Sequence, residues 1–127
     1  MKAMTDTALN AMKVLVVEDE ALVSMLVEDM LTDMGCQVVG PAADIESALQ
    51  LAHGGGIDAA LLDVNLAGKP IFPVADVLKE RGVPFAFASG YGEAGITEAH
   101  RGSPVLQKPF RESDLKRVLQ GIAALRA

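Results

Sequence analysis

The chain has 127 residues, half of them hydrophobic but only 4% aromatic, and its 11 Lys and Arg against 17 Asp and Glu give a formal net charge of −6. That length holds one compact domain with a single core and no second folded module, and an acidic balance without a run of Lys or Arg argues against nucleic acid as a direct partner. One cysteine, Cys36, excludes an internal disulfide and a thiolate metal cluster built from this chain alone, so a reducing cytoplasm is the expected setting.

Residues 1–12, MKAMTDTALNAM, place Asp6 and several polar side chains before any sustained apolar run, unlike a secretory signal. They are expected to form a flexible N-terminus, with one domain over 13–127. Lys13 to Val17 is a short β-branched run that stops at Glu18-Asp19-Glu20, the pattern of a fully buried first strand. Its apolar part is too short to cross a bilayer, and no membrane insertion is expected.

From Glu20 to Met34 the apolar positions Leu22, Met25, Leu26 and Met30 recur at helical spacing and are assigned to the core, with Glu28, Asp29 and Asp33 off that face. Gly35 supplies the stop. Gln37 to Gly40 reads as a second strand, and Asp44 caps a helix running to His53, ended by Gly54 to Gly56. Ala59 to Leu62 is a third strand reaching Asp63; Asn65, Gly68 and Pro70 mark a loop, and Val74 to Glu80 a short helix.

Phe85 to Ala88 is a fourth strand. Between Gly90 and Ser103 stand four glycines and no strong apolar period, so a stable helix is not expected there. Val105 to Gln107 is the fifth strand, closed by Lys108-Pro109, and Arg111 to Arg126 carries Leu115, Val118, Leu119, Ile122 and Leu125 at helical spacing. Five apolar strands alternating with helices imply a doubly wound α/β domain with a parallel sheet.

In open α/β sheets, sites form outside the carboxyl ends of the strands. Here those positions are Glu18 and Asp19 after the first strand, Asp63 after the third, Ser89 after the fourth and Lys108 after the fifth. Three carboxylates brought together raise one another's pKa unless a cation lies among them. Mg²⁺ suits oxygen donors of this kind, whereas zinc is not expected where thiol and imidazole ligands are missing. One carboxylate can then act as nucleophile toward a phosphoryl donor, with a lysine and a hydroxyl on the remaining phosphoryl oxygens.

These residues resemble the receiver domains of response regulators along Lys13 to Arg126. The resemblance is carried by VLVVEDE at 14–20, ALLDVNL at 60–66 and LQKPF at 106–110, in that order. It implies a flavodoxin-like strand order 2-1-3-4-5 and a histidine kinase, or a phosphotransfer protein, as phosphodonor. It also implies Asp63 as phosphoacceptor; Asp19 and Asp63 as Mg²⁺ ligands with the backbone carbonyl of Asn65; and Glu18 as a further acid acting through water. Ser89 and Lys108 match the residues that contact the phosphoryl group, and the Lys108-Pro109 peptide is expected to be cis.

PFAFASGYGEAG at 84–95 resembles the FATGUY subgroup, with Ser89 where Thr is usual and a poorly formed helix after the fourth strand. Val105 stands where ordinary receivers carry the aromatic residue that swings inward on activation. The subgroup suggests a partner kinase of the HWE type.

Simpler readings stand beside these. Asp19 or Glu20 alone fits a helix cap, Ser89 before Gly90 a turn, Pro109 the first turn of a helix, and Gly54 to Gly56 a plain turn with no Gly-Lys-Ser/Thr following. Tyr91 is assigned either to a replacement switch or to packing on the core edge. His53 and His100 read as surface residues and Cys36 as a small buried hydrophobe. A Mg²⁺-dependent phosphatase or phosphomutase also uses an aspartyl nucleophile, but generally with a second acid two residues on, where this chain has Asn65; a third reading is an interaction scaffold that takes no phosphate.

Overall fold

The computed structural model describes residues 9–126. Residues 1–8, in the segment expected to be flexible, and residue 127, at the end of the expected domain, lie outside the described residues. The chain runs β1 (Lys13–Val17), α1 (Ala21–Asp33), β2 (Gln37–Ala42), α2 (Ile45–His53), β3 (Ala59–Asp63), β4 (Asn65–Leu66), β5 (Lys69–Pro70), α3 (Phe72–Glu80), β6 (Phe85–Ser89), two 3-10 turns (Gly92–Gly95 and Glu98–His100), β7 (Val105–Gln107) and α4 (Glu112–Arg126).

Five strands form one parallel sheet in the order β2-β1-β3-β6-β7. With the β4–β5 pair set aside, this is the flavodoxin-like order 2-1-3-4-5. Strand period two explains the layering. Val14, Val16, Leu61, Ala86 and Ala88 point to one side, where Val27 and Leu31 of α1 and Leu115, Leu119 and Ile122 of α4 cover them. Leu15, Val17, Leu62 and Phe87 point to the other, under Ala48 and Ala52 of α2 and Val74, Ala75 and Leu78 of α3. Burial on both faces is why β1, β3 and β6 read as unbroken apolar runs. Leu9 and Met12, just ahead of β1, are buried in the first layer.

Local signals account for the element ends. The Asp44 carboxylate accepts from the Ser47 backbone N–H at 2.8 Å, capping α2. After α1, Gly35 takes φ +85° while Gly35 N–H donates to Thr32 and Cys36 N–H to Leu31 at 3.0 Å each, closing the helix with a left-handed residue that glycine adopts without strain. β4 and β5, expected only as loop, form a tight hairpin because Ala67 and Gly68 both have positive φ. α3 begins at Phe72, two residues before the expected start, with Pro73 in its first turn.

Three expectations need correction. α1 buries Ser24, Val27 and Leu31, while Leu22, Met25 and Leu26 are 71%, 60% and 52% exposed, and Met30 is half-buried. The helix carries two apolar stripes, so periodicity alone cannot choose between them; Ser24 is tolerated inside because its hydroxyl donates to the Ala21 carbonyl at 3.0 Å. His100 is buried rather than on the surface: its Nε2 lies 2.7 Å from Asp76 Oδ1 and its Nδ1 2.9 Å from Thr97 Oγ1, and its ring stacks on Phe72 at 4.9 Å. Tyr91 is 81% exposed and does not pack on the core edge.

Between β6 and β7 the described residues contain the two 3-10 turns and no α-helix, in keeping with the glycines and missing period of that segment. Lys108–Pro109 is cis, as is Gly40–Pro41. No helix among the described residues is long and apolar enough to cross a membrane.

Candidate functional site

Strand register decides what meets at the carboxyl edge. Val17 is level with Leu62, Asp63 with Ala88, and Ser89 with Gln107. The next residues along β1 and β7, Glu18 and Lys108, therefore emerge beside Asp63 and Ser89. Backbone bonds continue this alignment past the strands: Glu18 N–H donates to Ala42 at 2.9 Å, Val64 N–H to Ala88 at 3.0 Å and Lys108 N–H to Ser89 at 2.9 Å.

At the centre the Lys108 ammonium donates to Glu18 Oε1 at 2.8 Å and lies 3.3 Å from Asp63 Oδ1. Glu18, Asp63 and Ser89 are buried, while Asp19 is exposed and Lys108 half-buried. Glu18 Oε2 also accepts from the Glu20 N–H at 3.1 Å, so both its oxygens are held. Asp63 Oδ1 accepts at 3.4 Å from the Asn65 N–H. The Ser89 hydroxyl oxygen accepts from the Tyr91 N–H at 3.0 Å; Tyr91 thus meets the site through its backbone while its ring faces solvent.

Oxygen atoms of Glu18, Asp19 and Asp63 lie within 4.8 Å of one another. The donors are all carboxylates, two of them buried beside a third open to solvent, which fits a hard divalent cation that keeps water in its shell. The acidic cluster could hold such a metal. All six residues expected at the site (Glu18, Asp19, Asp63, Asn65, Ser89 and Lys108) are on this edge.

Burial raises the Asp63 carboxyl from 3.8 to about 7, with the Glu18 charge adding to the rise and Lys108 opposing it. Burial alone would lower the Lys108 ammonium, but its hydrogen bond to Glu18 and the charges of Asp63 and Glu18 outweigh this and raise it. Lys108 is therefore a fixed cation at neutral pH, whereas Asp63 titrates near neutrality in the metal-free site.

The stability consequence has a definite sign. Between about pH 4 and 7 folded Asp63 holds a proton that the unfolded chain has released, so its contribution is fully present below pH 4 and lost as pH rises through 7. In EDTA, Asp63→Asn is expected to gain stability over the parent across that window, by on the order of 2 to 4 kcal/mol at pH 8. Urea unfolding of both proteins from pH 4.5 to 8 checks this; a difference that does not grow with pH would contradict it.

Beside Lys108, a shallow apolar cleft of about 310 Å³ is lined by Val23, Leu26, Val27, Met30, Pro109 and Phe110. It continues onto the exposed stripe of α1. The sequence reading missed this surface, whose signal is the surplus of apolar residues over what one buried face can use.

The response regulator receiver domain model matches residues 14–120. Transcriptional regulatory protein PdtaR of Mycobacterium tuberculosis is 31% identical over 107 residues, which cover 81% of this chain and 52% of that protein. Phyllosphere-induced regulator PhyR of Methylorubrum extorquens is 30% identical over 114 residues, covering 86% of this chain and 42% of PhyR. The chain thus spans about half the length of the curated relatives it matches. Among solved structures, SdrG from Sphingomonas melonis Fr1 is 39% identical with TM-score 0.78, covering 96% of this chain and 98% of that one. SdrG in its BeF3-activated conformation gives 39% identity and TM-score 0.77, over 90% and 98% of the two chains.

Proposed function

This chain belongs to the response regulator receiver domain family, the phosphoacceptor domains of two-component signalling, and from that premise we propose that Asp63 accepts a phosphoryl group from a histidine kinase or a phosphotransfer protein. The observation that carries this reading is the Lys108 ammonium seated between buried Glu18 and Asp63, with Asp19 in reach and Ser89 on the next strand end. The domain is a regulatory one rather than a turnover enzyme; what it catalyses is its own modification. We place it over 13–127, with Leu9 and Met12 packed beneath β1.

In the proposed step an Asp63 carboxylate oxygen bonds to phosphorus while the bond from phosphorus to the donor nitrogen breaks and the donor imidazole leaves with the electron pair. Asp63 reacts as the anion, and its tendency to hold a proton near neutrality is what a cation at the site must overcome. Mg²⁺, when bound by the Asp19 and Asp63 carboxylates and the Asn65 backbone carbonyl, with Glu18 acting through water, offsets the charge of the acids and of the phosphoryl oxygens. Lys108 then pairs with a phosphoryl oxygen, and the Ser89 hydroxyl donates to another. The incoming charge rebiases the segment after β6.

Intact-mass measurement after acetyl phosphate treatment, with and without Mg²⁺, tests the reading. One added phosphoryl group is expected only with the metal, and an unchanged mass under both conditions would favour a scaffold that takes no phosphate.

A protein phosphodonor also needs a docking surface, and the exposed Leu22, Met25 and Leu26 beside the Lys108 cleft are a surface that a helical partner would cover. Met25→Lys and Leu26→Asp are expected to leave the fold within about 0.5 kcal/mol of the parent. They should slow labelling by a phosphorylated histidine kinase roughly tenfold while acetyl phosphate labelling stays at parent level. Equal loss with both donors would place the effect in the site instead. The FATGUY-like string at 84–95 supports a kinase of the HWE type as that donor, and the single cysteine suits a cytoplasmic setting.

A further inference from the structure

The segment after β6 carries glycines that do not all serve the same end. A methyl group built at Gly90 meets nothing within 4 Å, and the same holds at Gly102. At Gly95 it would stand 2.9 Å from the Ser89 hydroxyl oxygen and 3.7 Å from a Val64 methyl, closer to the oxygen than carbon and oxygen pack. Val64 directly follows Asp63. The 3-10 turn Gly92–Gly95 thus folds back until the Cα of Gly95 faces the gap between the ends of β3 and β6, beside the candidate phosphoacceptor.

Backbone freedom does not explain the glycine. Positive φ is found at Gly35, Gly40, Gly56, Gly68, Gly82 and Gly102 but not at Gly95, so alanine would be unstrained in conformation there. What alanine would change is the Ser89 side chain. That hydroxyl is buried and held by the Tyr91 N–H at 3.0 Å, while the Ser89 carbonyl is held by Lys108 N–H at 2.9 Å. With the backbone tied to β7, relief comes by rotating the hydroxyl away from the methyl, which breaks the bond from Tyr91.

We propose that Gly95 is a positioning residue for phosphoryl transfer: by having no side chain, it lets the turn close over Ser89 and fixes the hydroxyl rotamer that serves the Asp63 site. This rests on the proposed role of Asp63 and Ser89 as a phosphoryl site. The turn acts as a gauge for the hydroxyl. Only an unsubstituted residue at 95 admits both the closed turn and the observed oxygen position.

The test is a double-mutant cycle of Gly95→Ala with Ser89→Ala, with Gly90→Ala as the neighbouring control, read by three measurements on the full chain. Gly95→Ala is expected to slow Mg²⁺-dependent labelling by acetyl phosphate about fivefold in the Ser89 background and to have no further effect in the Ser89→Ala background. In ¹⁵N-resolved NMR the Tyr91 amide proton should move upfield in both Gly95→Ala and Ser89→Ala, as a donor that has lost its acceptor, and change in Gly90→Ala only by the small shift that replacing the preceding residue brings. The thermal midpoint should fall on Gly95→Ala when Ser89 is present and recover when Ser89 is replaced by Ala, because the clash partner is gone.

Equal slowing in both backgrounds would overturn the proposal, since Gly95 would then act without the hydroxyl; so would an unmoved Tyr91 amide in Gly95→Ala. The amide and thermal readings need no phosphoryl chemistry, so a chain that takes no phosphate but shows the expected coupling would refute the phosphoacceptor reading while leaving the positional contact standing. A Gly95→Ala chain that fails to fold alone but folds with Ser89→Ala supports the same contact.

Discussion

Asp63→Asn is expected to reduce covalent phosphoryl incorporation by roughly a hundredfold or more, with either acetyl phosphate or a histidine kinase as donor. The amide has the shape of the carboxylate but no anionic oxygen to bond phosphorus. Nothing else on the carboxyl edge replaces it well: Glu18 has one oxygen on Lys108 at 2.8 Å and the other on the Glu20 N–H at 3.1 Å, and Asp19 is exposed on the rim. The fold should survive, because the buried position loses a charge and keeps its volume. Intact mass and peptide mapping check the result; labelling of the variant at parent level would move the acceptor to another residue.

Lys108→Ala is the second large effect, and it separates the structural role of the lysine from its chemical one. Removing the ammonium leaves two buried carboxylates, Glu18 and Asp63, facing each other without a cation. Breaking a buried pair in this way costs about 3 kcal/mol, and the loss has a pH signature. Lys108 is what holds the Asp63 carboxyl down against burial and Glu18, so without it Asp63 keeps its proton to higher pH and the repulsion is relieved at low pH. Urea unfolding in EDTA should therefore show a large loss at pH 8 and a smaller one at pH 5.5. Added Mg²⁺ should recover much of the stability at pH 8, since a cation returns beside Asp63 and, through water, beside Glu18. A loss independent of both pH and metal would mean that Lys108 stabilises through packing of its stem rather than its charge.

Much of the fold was legible because β1, β3 and β6 are buried on both faces, and that burial writes itself as unbroken apolar runs ending in polar residues. The site was legible for the same reason. A residue that follows such a run has left the core but not the sheet edge, so Glu18, Asp63, Ser89 and Lys108 could be grouped before any coordinate. What was not legible depended on choices that periodicity leaves degenerate. α1 offers two apolar stripes, and the hydroxyl of Ser24 gives no hint that its side is the inner one. His100 stands alone in sequence, yet Asp76, 24 residues away, and the rings of Phe72 and Phe87 make a buried place for it. Tyr91 was open between a replacement switch and packing on the core edge; its side chain lies in solvent, and it reaches the site through its backbone amide.

The bond from His100 to Asp76 has a mechanical consequence. Ile96 sits in the layer shared with α2 and α3, and His100 is clasped to α3 four residues further on. The turn Glu98–His100 is thus bolted to that helix and travels with it or not at all. A pull at Ser89 meets a bracket at His100 rather than a slack tether. A regulator of this build would hand on its message within a few residues of where it was received.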